Sequence, residues 1–504
     1  MSSWWPHHGE KLLLLGLMLV VFAARLWQLP AYPFHEDEIG SIGVMRSIVE
    51  TGLPLTGGSL YWRAPLAHYL MALPLLFGDV SPVTARLTNV VLSLFLLPVG
   101  YGVGRQLQGR TAGWLAALLL GFSAYQNLLA AFTRWYQPLQ LFFLLSIYLA
   151  ARYWLEGKRK GLAWPLGLAV VATLLCDKPG LFILPAVAWA WLLAGDWGLV
   201  RRWRFLLAVL VVLMVAWLAD VWTPAGTYRN TFALNLALGG LKDKWAFARW
   251  FRDLLPLGWT LLLLAVAPLV MEGRRWWYYG GIFVLGLVGT SLLAPGDNPR
   301  YMAHIFPVGL ILAASAAAWW LQAVRSLLLR HALPGRGRLA ATGALLLASV
   351  VFFVGVDKHD VSAAVGYYFK FVDQKPAHDY LASRLQPQDR VISVDPGITD
   401  FYLGCPVNYF LRQKFDPVSN RWSPYPAGVR SDYNIDSPER LREVLDQAPG
   451  RVWLYANWKM AWAVDPELDR LVREWFRPVF AQGETWVLVS NPGALRRLGR
   501  PVSP

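Results

Sequence analysis

Cysteine is scarce in this chain, because only Cys176 and Cys405 occur among 504 residues. Two distant cysteines supply neither a disulfide framework nor the paired spacing of a zinc site. The region after residue 356 contains no Gly-x-Gly-x-x-Gly and no P-loop, so a nucleotide site there has no support. Charged residues make up only 16% of the chain, whereas hydrophobic residues make up 56%. The composition therefore indicates a membrane protein rather than a disulfide-rich or zinc-binding domain.

Apolar runs of about 20 residues, long enough to cross a bilayer, recur through the first two thirds of the chain. They predict an α-helical polytopic membrane domain over residues 1–356, followed by a soluble α/β domain over residues 357–504. About eleven transmembrane helices are expected. The predicted spans are 11–29, 84–104, 112–130, 137–155, 162–176, 180–195, 204–222, 255–271, 277–294, 302–322 and 339–356.

The excess of basic residues gives a formal net charge of +15, which raises the question of nucleic-acid binding. The basic residues concentrate in every second loop between the predicted spans, as the positive-inside rule describes. This pattern predicts a multi-pass protein of the inner or plasma membrane with a cytoplasmic N-terminus and an extracytoplasmic C-terminal domain. No nucleic-acid partner is expected. The loops in question carry Arg105 and Arg110; Arg152, Lys158, Arg159 and Lys160; Arg201, Arg202 and Arg204; Arg274 and Arg275; and Arg325, Arg330, Arg336 and Arg338.

The C-terminal region alternates helical and strand patterns, which predicts the α/β class. Helices are expected at 377–385, 437–447 and 466–475, and strands at 390–394, 451–455 and 484–490. Asp395-Pro396-Gly397 is expected to form a turn.

An acidic motif, His35-Glu36-Asp37-Glu38, follows the first predicted span. Ionisable groups at a membrane boundary favour a functional site, although an exposed acidic turn that ends a helix is the simpler alternative. Apolar residues at helical spacing from Ile39 to Glu50 predict an amphipathic helix that lies on the membrane surface, within an outer segment over residues 30–82. Asp37 and Glu38 would lie at its N-terminus, where the helix dipole favours an ionised carboxylate.

Basic residues recur at the outer ends of the predicted spans, at Arg134, Lys178 and Arg300, and Arg63 follows the surface helix. These side chains suit phosphate oxygens. Each one alone could instead anchor to lipid headgroups or cap a helix. Because these basic residues and the acidic motif are predicted on the same, outer side of the membrane, a joint functional role is favoured. Nearby tryptophans, including Trp135, could stack on a sugar or simply form the aromatic belt of a membrane protein.

The membrane half resembles the GT-C family of polyprenyl-phosphate-sugar glycosyltransferases, close to protein O-mannosyltransferases and the lipid A aminoarabinose transferase. The resemblance rests on an ordered set of motifs on the predicted topology. These are Phe34-His-Glu-Asp-Glu38, Gly52-Leu-Pro, Arg63-Ala-Pro-Leu66 with Tyr69, Ala85-Arg86-Leu87, Gly104-Arg-Gln-Leu, Arg134, Lys178 and Arg300-Tyr301.

The resemblance implies a GT-C fold and a hexosyl- or pentosyltransferase that uses a polyprenyl-phosphate sugar donor. The acceptor would be an envelope lipid, glycan or protein on the extracytoplasmic face, and the transfer would invert the anomeric carbon. Asp37 matches the family's base, and Glu38 would support it. The expected contacts to the donor phosphate are Arg63, Arg134, Lys178, Arg300 and Tyr301.

The sequence also departs from the family, since Trp62-Arg63-Ala64-Pro65 keeps a cation but lacks the usual acidic residue of that motif. His35 and Glu36 could contribute ligands to a divalent metal, but one local cluster leaves the coordination incomplete. Two rival functions stay open: a transporter or flippase of lipid-linked sugars, and an assembly subunit that has lost its active site.

Overall fold

The computed structural model describes residues 5–56, 59–195, 246–249, 265–293, 298–330, 372–416, 421–424 and 433–491. These form two units. The first contains the described residues of Met1–Ala31 and Ser41–Phe369, and the second those of Tyr32–Gly40 and Lys370–Pro504. The predicted domain boundary at residues 356–357 lies outside the described residues.

The first unit is helical, with one short antiparallel pair of strands, Leu55–Thr56 and Ser59–Leu60. Its regular helices are Trp5–Gln28, Glu36–Thr51 (whose first residues belong to the second unit), Pro65–Ala72, Pro82–Phe122, Ala124–Ala130, Tyr136–Ala150, Ala163–Leu174, Ile183–Ala194, Val266–Met271, Arg274–Leu293 and Phe306–Arg330. Tighter or wider helical turns lie at Leu29–Ala31, Leu73–Leu76, Ala151–Leu155, Lys178–Phe182 and Pro299–Met302.

Four helical segments in the described part of the chain are long and apolar enough to cross a membrane: Gly9–Ala31, Pro82–Phe122, Tyr136–Leu155 and Phe306–Ser326. Their exposed side chains include large apolar ones, as expected of helices that face lipid. The predicted spans 204–222 and 339–356, and most of 255–271, lie outside the described residues. The total of eleven spans therefore stays a prediction.

The helical segment Pro82–Phe122 reverses direction at Gln108 and Gly109, whose backbone angles are not helical. Gly109 has φ 76°, a left-handed value that glycine adopts without a steric penalty. The two arms pack closely, because a Cβ on Gly104 would lie 2.6 Å from the Ala112 carbonyl oxygen. This hairpin explains why the sequence shows separate apolar runs at 84–104 and from 112 onwards.

The predicted span 112–130 is wrong as a single helix, because the chain leaves the helical conformation at Ser123, where ψ is 130°. The break exposes carbonyl groups of the last turn that need hydrogen-bond donors. Arg25 of the first span supplies them, since its Nη2 donates to the carbonyls of Leu120 (3.0 Å) and Gly121 (3.1 Å). A buried arginine thus caps this helix end and links it to the first span.

The second unit is built on a mixed six-stranded sheet. Four neighbouring strands are parallel and the last two are antiparallel. In spatial order the strands are Asn434–Ile435, Tyr409–Leu411, Arg390–Ser393, Val452–Asn457, Thr485–Ser490 and Phe476–Gln482. A separate hairpin joins Gln413–Asp416 to Arg421–Pro424.

Helices cover both faces of this sheet. Alternate residues of Val452–Asn457 face opposite sides: Leu454 packs with the helices Pro438–Gln447 and Pro466–Trp475, while Tyr455 packs with the helix Lys375–Ala382. The predicted α/β class is therefore confirmed.

The turn expected at Asp395-Pro396-Gly397 is wrong, because a helix, Pro396–Leu403, begins there. An aspartate followed by proline also favours a helix start, since proline at the first helical position loses no hydrogen bond. Gly404, with φ 68°, ends this helix. A short helix, Met460–Ala463, follows the strand Val452–Asn457.

Candidate functional site

The acidic motif forms the first turn of the helix Glu36–Thr51. The His35 amide N–H donates to Glu38 Oε2 (3.0 Å), and the Asp37 amide N–H donates to His35 Nδ1 (3.1 Å). This is a reciprocal capping arrangement in which the imidazole replaces the usual serine or threonine. The helix therefore starts at Glu36. The expected place of Asp37 and Glu38 at the helix N-terminus is confirmed.

The three carboxylates of this turn have different environments. Glu38 is fully buried and serves the cap, whereas Asp37 is half-buried. Glu36 forms an ion pair with Lys459 of the C-terminal part of the unit. Burial raises the pKa of Glu36 above its usual range, although the Lys459 ammonium group opposes this.

Lys459 bridges two carboxylates, because its Nζ also lies 2.6 Å from Asp395 Oδ2. Burial disfavours the charged ammonium group, but Asp395 and Glu36 outweigh that effect and raise the pKa of Lys459. The lysine is therefore held charged between the helix start and the C-terminal domain.

The two residues proposed as ligands of a divalent metal, His35 and Glu36, have other contacts in the structure. His35 Nδ1 accepts the Asp37 amide proton, and the Glu36 carboxylate is paired with an ammonium group. Across the part of the chain that the structure describes, no group of three or more His, Cys, Asp or Glu side chains is placed to hold a metal ion. No step of the chemistry is therefore assigned to a metal.

A second charged cluster lies in the first unit, around Arg63. Its Nε donates to Asp177 Oδ1 at 3.3 Å. Burial opposes the charge of Arg63, but Asp177, which is itself buried, together with Tyr61 and Tyr136, outweighs burial and raises the pKa of that guanidinium group. Arg63 also lies 4.2 Å from the centre of the Trp135 ring, and Arg134 lies 3.9 Å from the same ring. Both guanidinium groups therefore form cation–π contacts with the Trp135 ring, and these contacts stabilise both side chains.

Arg63 precedes a strained backbone position. Ala64 has φ 54° and ψ 49° and is the sole non-glycine residue with positive φ within the described ranges. A left-handed alanine directly before Pro65 is costly, so the surrounding structure must hold it in place. Strained backbone positions of this kind cluster at functional sites, so the neighbouring Arg63 stays a candidate.

Arg63 and Asp177 line a small, partly open pocket. Trp135 forms part of its wall and is 1% exposed, yet its Nε1–H has no hydrogen-bond partner among the described residues. The turn that carries Arg300 is fixed, because Asn298 Oδ1 accepts from the Arg300 amide at 3.0 Å. The full lining is Arg63, Trp135, Tyr136, Leu139, Asp177, Pro179, Arg300, Tyr301 and Ala303.

The predicted phosphate contacts are partly brought together by this pocket. Arg63, Arg300 and Tyr301 line it, and Arg134 packs on its Trp135 wall. Lys178 is not part of the lining, although its neighbours Asp177 and Pro179 are. The roles of these residues, and those of Asp37 and Glu38, stay predictions.

Sequence reasoning overlooked two important side chains, Asp177 and Lys459. Asp177 stands beside Lys178 in the Asp-Lys-Pro-Gly motif, but no local signal indicates its pairing with the distant Arg63. Lys459 had no local signal, since its partners Glu36 and Asp395 are remote in sequence.

No family model and no curated protein sequence matches the chain. Solved structures do. The crystal structure of ArnT from Cupriavidus metallidurans in the apo state aligns with a TM-score of 0.60 and 16% identity, over 97% of this chain and 99% of that one. ArnT is a lipid A aminoarabinose transferase. The chain has the GT-C fold.

Two further structures share the GT-C fold with this chain. ArnT from the same organism bound to undecaprenyl phosphate aligns with a TM-score of 0.59 and 16% identity, over 96% of this chain and 99% of that one. The apo oligosaccharyltransferase of Archaeoglobus fulgidus aligns with a TM-score of 0.52 and 12% identity, over 97% of this chain and 75% of that one. The GT-C fold expected from the motifs is thereby confirmed.

Proposed function

We propose that this protein is a membrane glycosyltransferase that moves a monosaccharide from a polyprenyl-phosphate donor to an envelope lipid, glycan or protein on the extracytoplasmic face. One observation carries the proposal: the pocket that combines Arg63 and Arg300 with the buried Nε1–H of Trp135. It occurs in a fold that an undecaprenyl-phosphate-bound transferase shares.

The charge and the hydrogen-bond donors of the pocket lining suit a phosphate group. Two arginines face one carboxylate, Asp177, so the lining keeps a net positive charge. The Arg63–Asp177 bond uses Nε, and both Nη groups of Arg63 make no hydrogen bond to a described residue. Arginine Nη groups present a planar fork to phosphate oxygens, and the Trp135 Nε1–H can only donate. The three residues together offer the donors that an anion needs.

Asp37 is the proposed base. The contacts of Glu36 with Lys459 and of Glu38 with the His35 amide give those two carboxylates structural roles. Asp37 is the position that the family motif assigns to proton removal, and the N-terminal turn of its helix favours the ionised form. The proposed base, Asp37, belongs to the second unit, and the proposed phosphate site with Arg63 and Arg300 belongs to the first. Each assignment is argued from the contacts within its own unit.

The reaction is a single displacement. The Asp37 carboxylate takes the proton of the acceptor hydroxyl, and the acceptor oxygen bonds to the anomeric carbon while the bond from that carbon to the phosphate oxygen breaks. Attack opposite the leaving group inverts the anomeric configuration. The polyprenyl phosphate leaves with an additional negative charge, which Arg63 and Arg300 stabilise.

The position of the charges favours a transferase over a transporter. Secondary transporters carry charged residues near the bilayer midplane on interrupted helices. Here Arg63, Asp177 and Arg300 lie outside the four helical segments that can cross a membrane. With a cytoplasmic N-terminus and an extracytoplasmic C-terminal domain, this arrangement suits chemistry at the outer surface.

Reconstitution tests the proposal. Purified protein in liposomes is supplied with radiolabelled polyprenyl-phosphate sugars and envelope extract, and we expect a labelled product of inverted anomeric configuration. Movement of the lipid-linked sugar across the bilayer without a transfer product would support the flippase instead. Folded protein that gives no product with any donor would refute the proposal.

A further inference from the structure

The segment that precedes the acidic helix is attached to the C-terminal domain by two independent contacts. Phe34, which is 8% exposed, packs edge-on against Phe401 with ring centres 5.7 Å apart. Two residues later, Glu36 forms its ion pair with Lys459. One contact is apolar and the other ionic, so they do not depend on the same solvent conditions.

The partners in the C-terminal domain are themselves fixed. Asp395 and Lys459 each stand two residues beyond the carboxyl end of a strand, and these strands, Arg390–Ser393 and Val452–Asn457, are parallel neighbours. The Asp395 amide donates to Ser393 Oγ at 2.9 Å, and the Lys459 amide donates to Asn457 Oδ1 at 3.0 Å. The carboxyl edge of this sheet, where α/β domains often bind ligands, thus receives a segment of the same chain.

The Asp395 carboxylate is directed to Lys459 rather than to its own helix. Asp395 is the N-cap residue of Pro396–Leu403, yet its side chain makes no capping hydrogen bond. A capping aspartate usually accepts from the first turn, so this departure marks the pair with Lys459 as the preferred contact. The side chains of Lys459, Glu36 and Asp395 are 25%, 24% and 14% exposed, so the loss of one partner leaves poorly solvated charges.

We infer that Lys459 is a positioning residue through which the C-terminal domain holds the first turn of the helix that carries Asp37. This inference rests on the proposed function of Asp37. Lys459 is paired with two carboxylates and has no assigned contact with substrate. Its effect on transfer comes from the position of the neighbouring turn, since a displacement of about 1 Å can cost about 10²-fold in rate.

The test compares Lys459→Met with Lys459→Arg in the full-length protein. We expect Lys459→Met to lower kcat about tenfold, with the KM for the polyprenyl-phosphate sugar unchanged within about twofold. Lys459→Arg keeps the charge and should retain at least about a third of kcat. Lys375→Met is the matched control, because it removes an exposed pair with Asp379 in the same domain and should change neither constant.

Hydrogen exchange gives a readout that does not need activity. In Lys459→Met the amides of Asp37 and Glu38 should exchange at least about fivefold faster than in wild type, while Lys375→Met leaves them unchanged. Glu36→Gln removes the same ion pair but keeps the Lys459–Asp395 pair. Glu36→Gln should also make the amides of Asp37 and Glu38 exchange faster. If Lys459→Met does not fold, this variant tests the attachment in its place.

The outcomes separate this inference from the proposed function. If Lys459→Met shows faster exchange but the wild-type protein transfers no sugar, the attachment is supported and the transferase is refuted. Unchanged exchange and unchanged kcat in Lys459→Met would overturn the inference while the transferase stands. A raised KM with unchanged kcat would also overturn it, because Lys459 would then act in donor binding.

Discussion

Two charged clusters, one in each unit, bring cations and carboxylates together from distant parts of the sequence, and the two are built differently. Arg63 meets one carboxylate, through Nε alone, and lies against an aromatic ring beside a second pocket arginine. Lys459 meets two carboxylates, Glu36 and Asp395, and its charge is more than balanced.

The difference indicates separate tasks. A cation with excess charge and remaining N–H donors can accept a further anion, whereas a cation enclosed by two carboxylates has no such capacity. The Arg63 cluster is therefore suited to bind a ligand, and the Lys459 cluster is suited to hold protein segments together. The type of basic residue agrees, since arginine suits bidentate anion binding and lysine acts as a compact point charge.

The largest expected effect comes from removal of the proposed base, Asp37, which follows Glu36 in the acidic turn. Asp37→Asn should lower kcat about 10²–10⁴-fold, because positioned proton removal contributes about that much. The KM for the donor should change little. Glu50→Gln, an exposed change at the far end of the same helix, is the control and should retain wild-type transfer. Full activity in Asp37→Asn would mean that the acidic turn has only a structural role.

Asp389 tests the stabilising role of charged groups in the C-terminal domain, because this buried carboxylate accepts several hydrogen bonds. Asp389 accepts from the Arg451 amide (2.9 Å), Arg451 Nη2 (3.1 Å) and Trp453 Nε1 (2.8 Å). Burial opposes its charge, but these hydrogen bonds outweigh burial and lower its pKa below 3.8. Asp389→Asn should therefore destabilise the C-terminal domain by about 2–3 kcal/mol at neutral pH, as measured by hydrogen exchange of its strand amides.

The pH dependence of this effect has a defined sign. Because the folded pKa lies below the ordinary value of 3.8, the carboxylate stabilises the fold above that pH. The contribution disappears as the pH falls through the folded pKa, so the difference between wild type and Asp389→Asn should shrink in acid. An equal difference at pH values well above and well below 3.8 would contradict this.

Substitution of Arg63 tests whether its cluster binds the ligand. Arg63→Met should weaken binding of polyprenyl phosphate about tenfold, the value of about one charged hydrogen bond. Titration in detergent micelles measures the affinity, and Arg63→Lys should restore part of it. Arg470→Met removes an exposed pair with Glu474 and serves as the control. Unchanged affinity in Arg63→Met would place the phosphate elsewhere.

The smallest expected effect concerns one N–H group. Trp135→Phe keeps an aromatic ring for Arg63 and Arg134 but removes Nε1–H, and should weaken polyprenyl-phosphate binding about three- to fivefold. Trp276→Phe removes an equally buried indole N–H that does not line the pocket, and should have no effect on affinity. Equal losses in both variants would show a general packing effect rather than a ligand contact.

Much of the fold was readable from periodicity. The helix Pro466–Trp475 begins and ends where its pattern predicts, because capping and amphipathic spacing are local signals. The break at Ser123 was not readable, since the apolar run continues through it and its stability depends on Arg25 from another span. The helix after Asp395 was missed because Asp-Pro-Gly suits both a turn and a helix start.

The sequence by itself determined the apolar, helical character of the first unit, the α/β class of the C-terminal region and the acidic turn at the start of a helix, because each depends on neighbours within a few residues. Only the tertiary structure decided which charges meet. Arg63 pairs with Asp177, and Lys459 pairs with Glu36 and Asp395, through contacts between segments far apart in the chain. Coulomb attraction has no sequence periodicity, so the same residues could have paired otherwise until packing fixed their distances.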